Sequence, residues 1–222
     1  MRVLYHLPLD AACRETRIHI AEKGLEFELR AEKVWERRED FLRLNPAGEV
    51  PVLVDEEHAV IPGARVIAEY LEEVYAEPPL LGRTPLDRAE VRRLVEWFAF
   101  KFQREVTANL VDEKIMKRFL RLGQPDTGAI RAGHQNVKYH LDYVSWLSER
   151  RRWLAGDSFS LADVAAAAQL SAVDYVGDVP WEDYPEAKNW YARLKSRPSL
   201  RPLLADLIPG APPPQHYADL DF

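Results

Sequence analysis

The chain carries a single cysteine, Cys13, whose surroundings decide whether thiol chemistry is available. A thiolate is the reactive form, and its pKa falls at a helix N-terminus or beside cations. Cys13 opens a predicted helix and is followed by Arg14 and Arg17, so a mixed-disulfide or transfer role stays open. The favoured alternative is a small apolar residue buried with Thr16 and Ile20, because free cysteines are among the most buried residue types.

His6 ends the first predicted strand and is the second side chain near the N-terminus that could move a proton. No acidic residue accompanies it at a telling spacing, which favours a packed or hydrogen-bonded histidine over a general base. The sequence shows no cluster of His, Cys, Asp and Glu with metal-ligand spacing, and no glycine-rich phosphate loop. We therefore expect neither a metal centre nor a nucleotide site.

The charges of the 222 residues are interspersed and sum to −6. Such a surface does not attract nucleic acid as a whole. One cysteine leaves no internal disulfide, which fits a reducing compartment. The start of the chain lacks the apolar run of a signal peptide, and no segment approaches the roughly 20 apolar residues of a membrane span. We expect a cytoplasmic protein that neither binds nucleic acid nor inserts into a membrane.

The elements that would position these side chains begin with four short strands and a helix. Apolar or alternating segments predict strands at residues 3–5, 26–31, 52–54 and 59–61, and a helix runs from about Cys13 to Lys23, closed by Gly24. A final helix has an apolar stripe, made of Ile67, Tyr70, Leu71 and Val74. The order β-α-β-α-β-β-α predicts a thioredoxin-like domain over residues 1–76.

Prolines and a glycine interrupt regular structure over residues 77–88, where we place the domain linker. Residues 89–208 show helical periodicity throughout and predict an all-α bundle. Ser160 and Asp163 form a capping box before an alanine-rich helix that is apolar on nearly all sides, as in the middle of a bundle. Residues 209–222 start with a proline-rich stretch and are interpreted as an extended tail with an acidic and aromatic end.

Four motifs together resemble the cytosolic glutathione transferase superfamily over about residues 1–208. They are the segments 22–28, 45–53 and 68–73 and the capping box at Ser160. The resemblance implies a thioredoxin-like domain followed by a helical domain. It also implies that the Val50–Pro51 peptide is cis and that the Val50 backbone lies where the cysteine moiety of glutathione would bind.

The same resemblance indicates that the glutathione site is vestigial. The glutamate and serine that hold the γ-glutamyl end of glutathione align with Gly63 and Ala64, whose side chains cannot replace them. Losing both hydrogen bonds would remove on the order of 2–4 kcal/mol of binding, a hundredfold loss or more. The activating serine aligns with Asp10, whose carboxylate cannot donate to a thiolate. One branch carries a functional cysteine at a position alignable with Cys13.

Val34–Trp35–Glu36–Arg37–Arg38 follows the second strand and borders the predicted cleft. Trp and Arg are the residues most enriched in interface hot spots, so Trp35, Glu36, Arg37 and Arg38 are candidate partner-binding residues. The alternative, equally weighted, is that Trp35 packs on the domain boundary while the charges are solvated.

The end of the tail combines apolar side chains with carboxylates, unlike an ordinary disordered terminus. Such spacing suits a peptide that docks into a groove through apolar anchors. The alternative is a strap that folds back on its own domain. The candidate contact residues here are His216, Tyr217, Asp219, Leu220, Asp221 and Phe222.

Within the superfamily, the chain resembles a bacterial cell-division branch over nearly its whole length, including the segments 5–9, 35–38, 150–157 and 179–183 and the terminus. This resemblance implies a non-catalytic, dimeric, cytoplasmic protein at the division site that binds FtsZ filaments and regulates septal wall synthesis, with a second division partner on the tail. No cofactor is expected. The alternatives are a glutathione transferase or thiol-dependent reductase with glutathione as cofactor, and a carrier of hydrophobic molecules.

Overall fold

A computed structural model describes residues 1–220, and its first domain is built on a four-stranded mixed sheet. The strands are β1 (Arg2–His6), β2 (Phe27–Ala31), β3 (Val52–Val54) and β4 (Val60–Pro62). They lie in the order β2-β1-β3-β4, with β1 parallel to β2 and the other neighbouring pairs antiparallel. Each strand overlaps one of the four predicted segments, and the predicted thioredoxin-like order is confirmed.

Three helices complete this domain, namely α1 (Ala11–Glu22), α2 (Glu39–Leu44) and α3 (Ala64–Val74). The predicted stop after α1 is present: Gly24 has φ +68°, a backbone conformation that glycine adopts without strain. Apolar side chains of the sheet, α1 and α3 form a small core, which includes Leu4, Ile20, Leu53, Ile67 and Leu71. This core fixes the strand ends and helix starts that border the cleft.

The helical domain begins earlier than the predicted linker boundary, because α4 (Pro85–Glu96) starts inside residues 77–88. Thr84 and Asp87 form a capping box in which each side chain accepts a hydrogen bond from the other's backbone N–H. Pro85 occupies the first helical turn, where its missing N–H has no intrahelical partner to lose. A proline that reads as a helix breaker in the sequence therefore starts a helix here.

The chain continues from α4 without a break into a π-helical segment, Trp97–Met116, and then into α5 (Lys117–Leu120). At its end the Lys117 N–H donates to the Asp112 carbonyl, five residues back. Its core-facing side chains recur every four residues, at Phe98, Phe102, Val106 and Leu110. The remaining helices are α6 (Thr127–Ser148), α7 (Leu161–Tyr175), α8 (Pro185–Lys195) and α9 (Arg201–Leu204). The predicted thioredoxin-like plus all-α architecture is confirmed.

Helix α7 is the centre of the second domain, and every one of its residues is buried. The predicted capping box starts it: the Ala162 N–H donates to Ser160 Oγ at 3.3 Å, and the Ser160 N–H donates to Asp163 Oδ2 at 3.1 Å. The buried Asp163 carboxylate also accepts from the Leu154 N–H and from the Trp190 indole. A helix that is apolar on nearly all sides thus lies inside the bundle, as predicted.

Helix α1 packs along α7 and joins the two domains. Two bidentate ion pairs cross this seam. Arg197 donates to both oxygens of Glu22 at 2.7 and 2.6 Å, and Arg17 donates to both oxygens of Asp206 at 2.6 and 3.1 Å. Paired arginine–carboxylate contacts have a defined geometry, so they orient the domains relative to each other.

The predicted extended tail follows a different path. The Tyr175 hydroxyl accepts from the Ile208 N–H at 2.7 Å and donates to the Ala211 carbonyl at 2.8 Å, which holds a tight turn. A short 3₁₀ turn, Gln215–Tyr217, then places Tyr217 in the interior with no exposed surface. Residues 206–217, called the strap below, therefore lie against the domains because they bury one aromatic ring and bond their backbone to α7.

A buried histidine in the helical domain is held in one neutral form. The Trp97 indole donates to His140 Nδ1 at 3.0 Å, so the ring proton lies on Nε2, which faces Glu105 Oε2 at 3.2 Å. Burial, opposed by Glu105 and aided by Lys101, lowers the pKa of His140 to about 4. Because an unfolded histidine has a pKa near 6.5, the unfolded chain binds more protons between these values.

Acidification from pH 7 to pH 4.5 is therefore expected to remove about 2 kcal/mol of the His140 contribution to unfolding free energy. His140→Gln can accept from Trp97 and donate to Glu105 without titrating. As the pH falls over this range, the free energy of unfolding of the variant, measured in urea, should therefore rise by about that amount relative to that of the wild type. If the free energies of unfolding of the two proteins change in parallel with pH, the assignment is contradicted. Burial raises the pKa values of Asp112 and Asp163 to about 6, which gives the opposite trend with pH. Both proteins contain these carboxyls, so their contribution cancels in the difference.

Candidate functional site

The cleft between the domains starts at the loop after β1, where Asp10 caps α1. Its carboxylate accepts from the Cys13 N–H at 2.7 Å, which satisfies one of the free amides at the helix start. Burial raises the pKa of this carboxyl, and the Cys13 hydrogen bond opposes that rise. Asp10 therefore acts as a helix cap that, when ionised, has no proton to donate toward a ligand thiolate.

Cys13 lies in the first turn of α1 and has no exposed surface. Its Sγ accepts a hydrogen bond from the Leu7 N–H at 3.4 Å. Burial raises the pKa of the thiol well above its ordinary value, and the Asp10 carboxylate adds to the rise. The helix N-terminus and nearby arginines do not offset these effects. The geometry agrees with the buried alternative and leaves no thiolate for nucleophilic chemistry at neutral pH.

His6, at the end of β1, is also buried. Burial lowers its pKa to about 4, and the Arg17 cation contributes to the shift. The ring is therefore neutral at pH 7. No carboxylate accepts a hydrogen bond from it among residues 1–220, and its Nδ1 is one of the buried polar atoms there without a hydrogen-bond partner. This agrees with a packed histidine rather than an oriented general base.

The two positions that would clamp the γ-glutamyl end of glutathione offer only backbone. The Val50–Pro51 peptide is cis, as the family resemblance implies, and the Pro51 carbonyl accepts from the Gly63 N–H at 2.9 Å. Gly63 has φ +89°, and α3 begins directly after it with no side-chain cap. A Cβ at Gly63 would meet no atom within 4 Å, but the positive φ would strain a residue other than glycine at this position.

A second carboxylate faces this end of the cleft from the π-helical segment. Burial raises the pKa of Asp112 to about 6, and the next largest contribution is the charge of Asp10. The exposed Glu49, beside the cis peptide, also adds to the raised pKa of Asp10. These residues place several acidic side chains at this end of the cleft. The sequence motifs gave no reason to single out Asp112, whose position depends on how the domains pack.

The candidate partner-binding segment begins with a 3₁₀ turn, Val34–Glu36, which directs Trp35 toward the helical domain. The half-buried indole stacks on Phe119 of α5, with ring centres 6.0 Å apart and planes 13° from parallel. This contact agrees with the alternative that Trp35 packs on the domain boundary. Part of the ring stays exposed, so the prediction that Trp35 binds a partner stays open. The sequence does not single out Phe119, because nothing in a four-residue helix marks it as the partner of Trp35.

The charged residues beside Trp35 are solvent-exposed. Glu36 pairs with Lys33 at 3.2 Å, and Arg38 pairs with Glu32 at 2.6 Å. Arg37 has φ +46° and projects from the end of the 3₁₀ turn. Arg118 and Arg121 of the second domain are exposed next to Phe119. We refer to the stacked Trp35 and Phe119 rings as the aromatic platform; exposed arginines lie close to each ring along the chain.

The candidate residues of the terminus differ in how much of each side chain is exposed. Tyr217 is buried and cannot offer its side chain to a partner while the strap is in place. His216 Nε2 lies 3.0 Å from Asp174 Oδ1 and its side chain is 39% exposed. Asp219 is exposed and Leu220 half-buried. Asp221 and Phe222 lie outside the described residues, so their predicted contacts stay predictions.

Within residues 1–220 no group of three or more His, Cys, Asp and Glu is arranged to hold a metal ion. In the same range no helix combines the length and apolar character that a membrane crossing requires. At this end of the cleft the structure thus brings together a helix-capping carboxylate, a buried thiol and a second carboxylate, namely Asp10, Cys13 and Asp112. None of these three side chains carries a hydroxyl group.

Comparison with known proteins connects this geometry to one family. Residues 11–74 match the family model of the glutathione S-transferase N-terminal domain, and residues 131–198 match that of its C-terminal domain. FtsZ-localized protein A of Caulobacter vibrioides is 51% identical over 224 residues, covering 100% of this chain and 98% of that protein.

Two solved structures have the same architecture over the full chain. A glutathione S-transferase from Rhodospirillum rubrum F11 is 58% identical with a TM-score of 0.98, covering 100% of both chains. FzlA from C. crescentus is 51% identical with a TM-score of 0.96, covering 100% of this chain and 99% of that one. With both family models matched and full-length relatives this similar, the chain belongs to the glutathione S-transferase superfamily.

Proposed function

We propose that this protein is a non-catalytic member of the superfamily that binds FtsZ filaments at the division site and regulates cell division and septal wall synthesis. The observation that carries the proposal is the 51% identity, over the whole chain, with a relative named for its localisation to FtsZ. The similarity extends over 100% of this chain and 98% of that relative, beyond the two segments that match the family models. It therefore favours a shared partner and not only a shared fold.

The geometry of the cleft supports the non-catalytic part. Gly63 and Ala64 present no side-chain donor or acceptor, and Asp10 uses its carboxylate to cap α1. Cys13 is a buried thiol with a raised pKa. An enzyme that activates glutathione needs a donor to its thiolate and a clamp for its charged end. Neither is formed by these side chains, and no cofactor is proposed.

The aromatic platform is the surface we assign to the filament. It combines a half-exposed tryptophan with arginines from both domains, the residue types that carry most interface energy. Trp35 stacks on Phe119 and is therefore pre-positioned, which lowers the entropy lost when a partner covers it. Arg37 and Arg121 add directional donors at the rim.

We also propose a homodimer, and a separate aromatic face of the helical domain is suited to the second copy. Tyr139 and Trp146 of α6 are 56% and 47% exposed, and Phe100 of the π-helical segment is 55% exposed. Tyr143 stacks on Trp146 and contacts Trp97 at a tilted angle, so it links these two rings. A contiguous exposed patch of aromatic side chains is typical of an interaction surface. The terminal residues after the strap are left for a second division partner.

Co-sedimentation with FtsZ polymer tests the function. The protein should appear in the pellet when GTP supports polymerisation and remain in the supernatant when FtsZ is unpolymerised. Equal pelleting with and without polymer would overturn the proposal.

A glutathione transferase or thiol-dependent reductase is the second candidate, because the R. rubrum neighbour is described as a glutathione S-transferase. Calorimetric titration with glutathione and turnover of a generic electrophile separate the two. We expect millimolar or weaker affinity and no turnover. Micromolar affinity with turnover would instead favour the enzyme.

A further inference from the structure

The strap meets the first domain at a fully buried arginine. Arg14 on α1 has no exposed surface, and its Nε donates to the Pro8 carbonyl at 2.7 Å. Its Nη1 donates to Ser171 Oγ and to the Tyr217 hydroxyl, each at 2.9 Å. Asp206 lies 3.5 Å from Nη2. A guanidinium removed from water needs such partners, because an unpaired buried charge is costly.

The partners of Arg14 come from different parts of the chain. Pro8 belongs to the loop that starts the cleft, and Ser171 lies on α7 at the centre of the helical domain. Asp206 and Tyr217 are the two ends of the strap. We call these five residues the Arg14 node. It joins three pieces of structure: the cleft loop, the helical domain and the strap.

Tyr217 occupies its place in the node through both its hydroxyl and its ring. The hydroxyl accepts from Arg14 and donates to the Leu203 carbonyl at 3.0 Å. The ring packs edge-on against Tyr175, with centroids 5.2 Å apart. Tyr175 also holds the turn at the start of the strap through its own hydroxyl. The strap is therefore fixed at both ends by aromatic residues that are almost completely buried.

The aromatic platform depends on the same seam, because each domain supplies one of its rings. Trp35 belongs to the first domain and Phe119 to the second. The strap also reaches the second ring's helix directly: Arg118, next to Phe119, donates to the Gly210 carbonyl at 3.3 Å. A change in the angle between the domains, or in the path of the strap, would shift one ring relative to the other.

From these contacts we infer that Tyr217 is a positioning residue: through the Arg14 node it holds the strap and the two domains so that Trp35 and Phe119 form one binding surface. This inference rests on the proposed FtsZ association of the platform. It assigns Tyr217 an internal role, in place of the direct partner contact that the sequence predicts. Residues 218–220 thereby continue from a fixed point.

Tyr217→Phe tests the role, since it removes the hydroxyl and retains the ring packing. Tyr70→Phe is the matched control: the Tyr70 hydroxyl donates to Asp55 at 2.5 Å, entirely within the first domain. Asp206→Asn is a second node variant, which keeps the shape and removes the charge paired with Arg14 and Arg17. FtsZ co-sedimentation gives the affinity of each variant.

Spin labels at the exposed positions Glu26→Cys and Glu186→Cys, one in each domain, report the distance between the domains. Cys13 is fully buried and should not react, and excess unlabelled protein confines each measured pair to one chain. We expect both node variants to broaden the distance distribution and to weaken FtsZ binding at least threefold, whereas the control does neither. Broadening without loss of affinity, or loss of affinity without broadening, would overturn the inference.

Failure of the proposed function is recognised separately. If the wild type does not pellet with FtsZ, the proposed partner is wrong and the link between node and filament falls with it. If the wild type pellets and Tyr217→Phe behaves as the wild type in both measurements, only the positioning role is overturned.

Discussion

Replacing Trp35 by alanine is expected to weaken binding to FtsZ filaments about thirtyfold, a loss of about 2 kcal/mol. The indole is the largest apolar group on the aromatic platform, and its stacking on Phe119 fixes its orientation before a partner arrives. Truncation removes the contact surface and leaves the Phe119 ring without its neighbour. Pelleting at a series of FtsZ concentrations, with the fold checked by circular dichroism, measures the effect.

Trp35→Phe is the matched control, because a phenyl ring can still stack on Phe119 and should retain most of the affinity. Phe119→Ala should weaken binding in the same direction as Trp35→Ala, since it removes the support of the indole. If Trp35→Ala lowers thermal stability but pellets like the wild type, the residue only seals the domain boundary. The platform would then not be the FtsZ surface.

Replacing Arg14 by methionine is expected to lower the free energy of unfolding by about 3–5 kcal/mol. Methionine fills the space of the side-chain stem, but it leaves the Pro8 carbonyl and two hydroxyls in the node without their donor. Because a domain is stabilised by only about 5–15 kcal/mol in total, a change of this size should be plain in urea denaturation. It also removes one of the two cations beside Asp206.

Arg43→Met provides the comparison for Arg14. Arg43 is 74% exposed and pairs with Asp40 and Glu39 on the surface of α2, so its loss should cost well under 1 kcal/mol. A double-mutant cycle of Arg14→Met with Tyr217→Phe should show coupling, since the two side chains share a hydrogen bond. Additive effects, or an Arg14→Met change below 1 kcal/mol, would contradict the central role of the node.

The sequence predicted the strands and helices of the first domain well, because their signals are local. Alternation over a few residues predicted β2, and Gly24 predicted the end of α1. The boundary at α4 could not be placed in the same way. Pro85 breaks a helix in the interior and favours one in the first turn, and only the Thr84–Asp87 box decides between the two.

The candidate site likewise has features that the sequence predicts and features that depend on how the domains pack. The side chains missing at Gly63 and Ala64 follow from residue identity and from the family pattern, so no structure is needed to recognise them. That Asp112 faces Asp10 depends on the packing of a helix about a hundred residues away along the chain. Local periodicity contains no information about such a pair.

By itself the sequence determined the two-domain architecture and the family membership, and it predicted a vestigial glutathione site, because each rests on residue types at short spacing. Only the tertiary structure decided that Trp35 stacks on Phe119 and that Tyr217 is buried against Arg14, 203 positions away. Whether a terminal aromatic meets a partner or its own domain depends on a matching buried donor. Such a donor exists only once α1, α7 and the strap have been packed together.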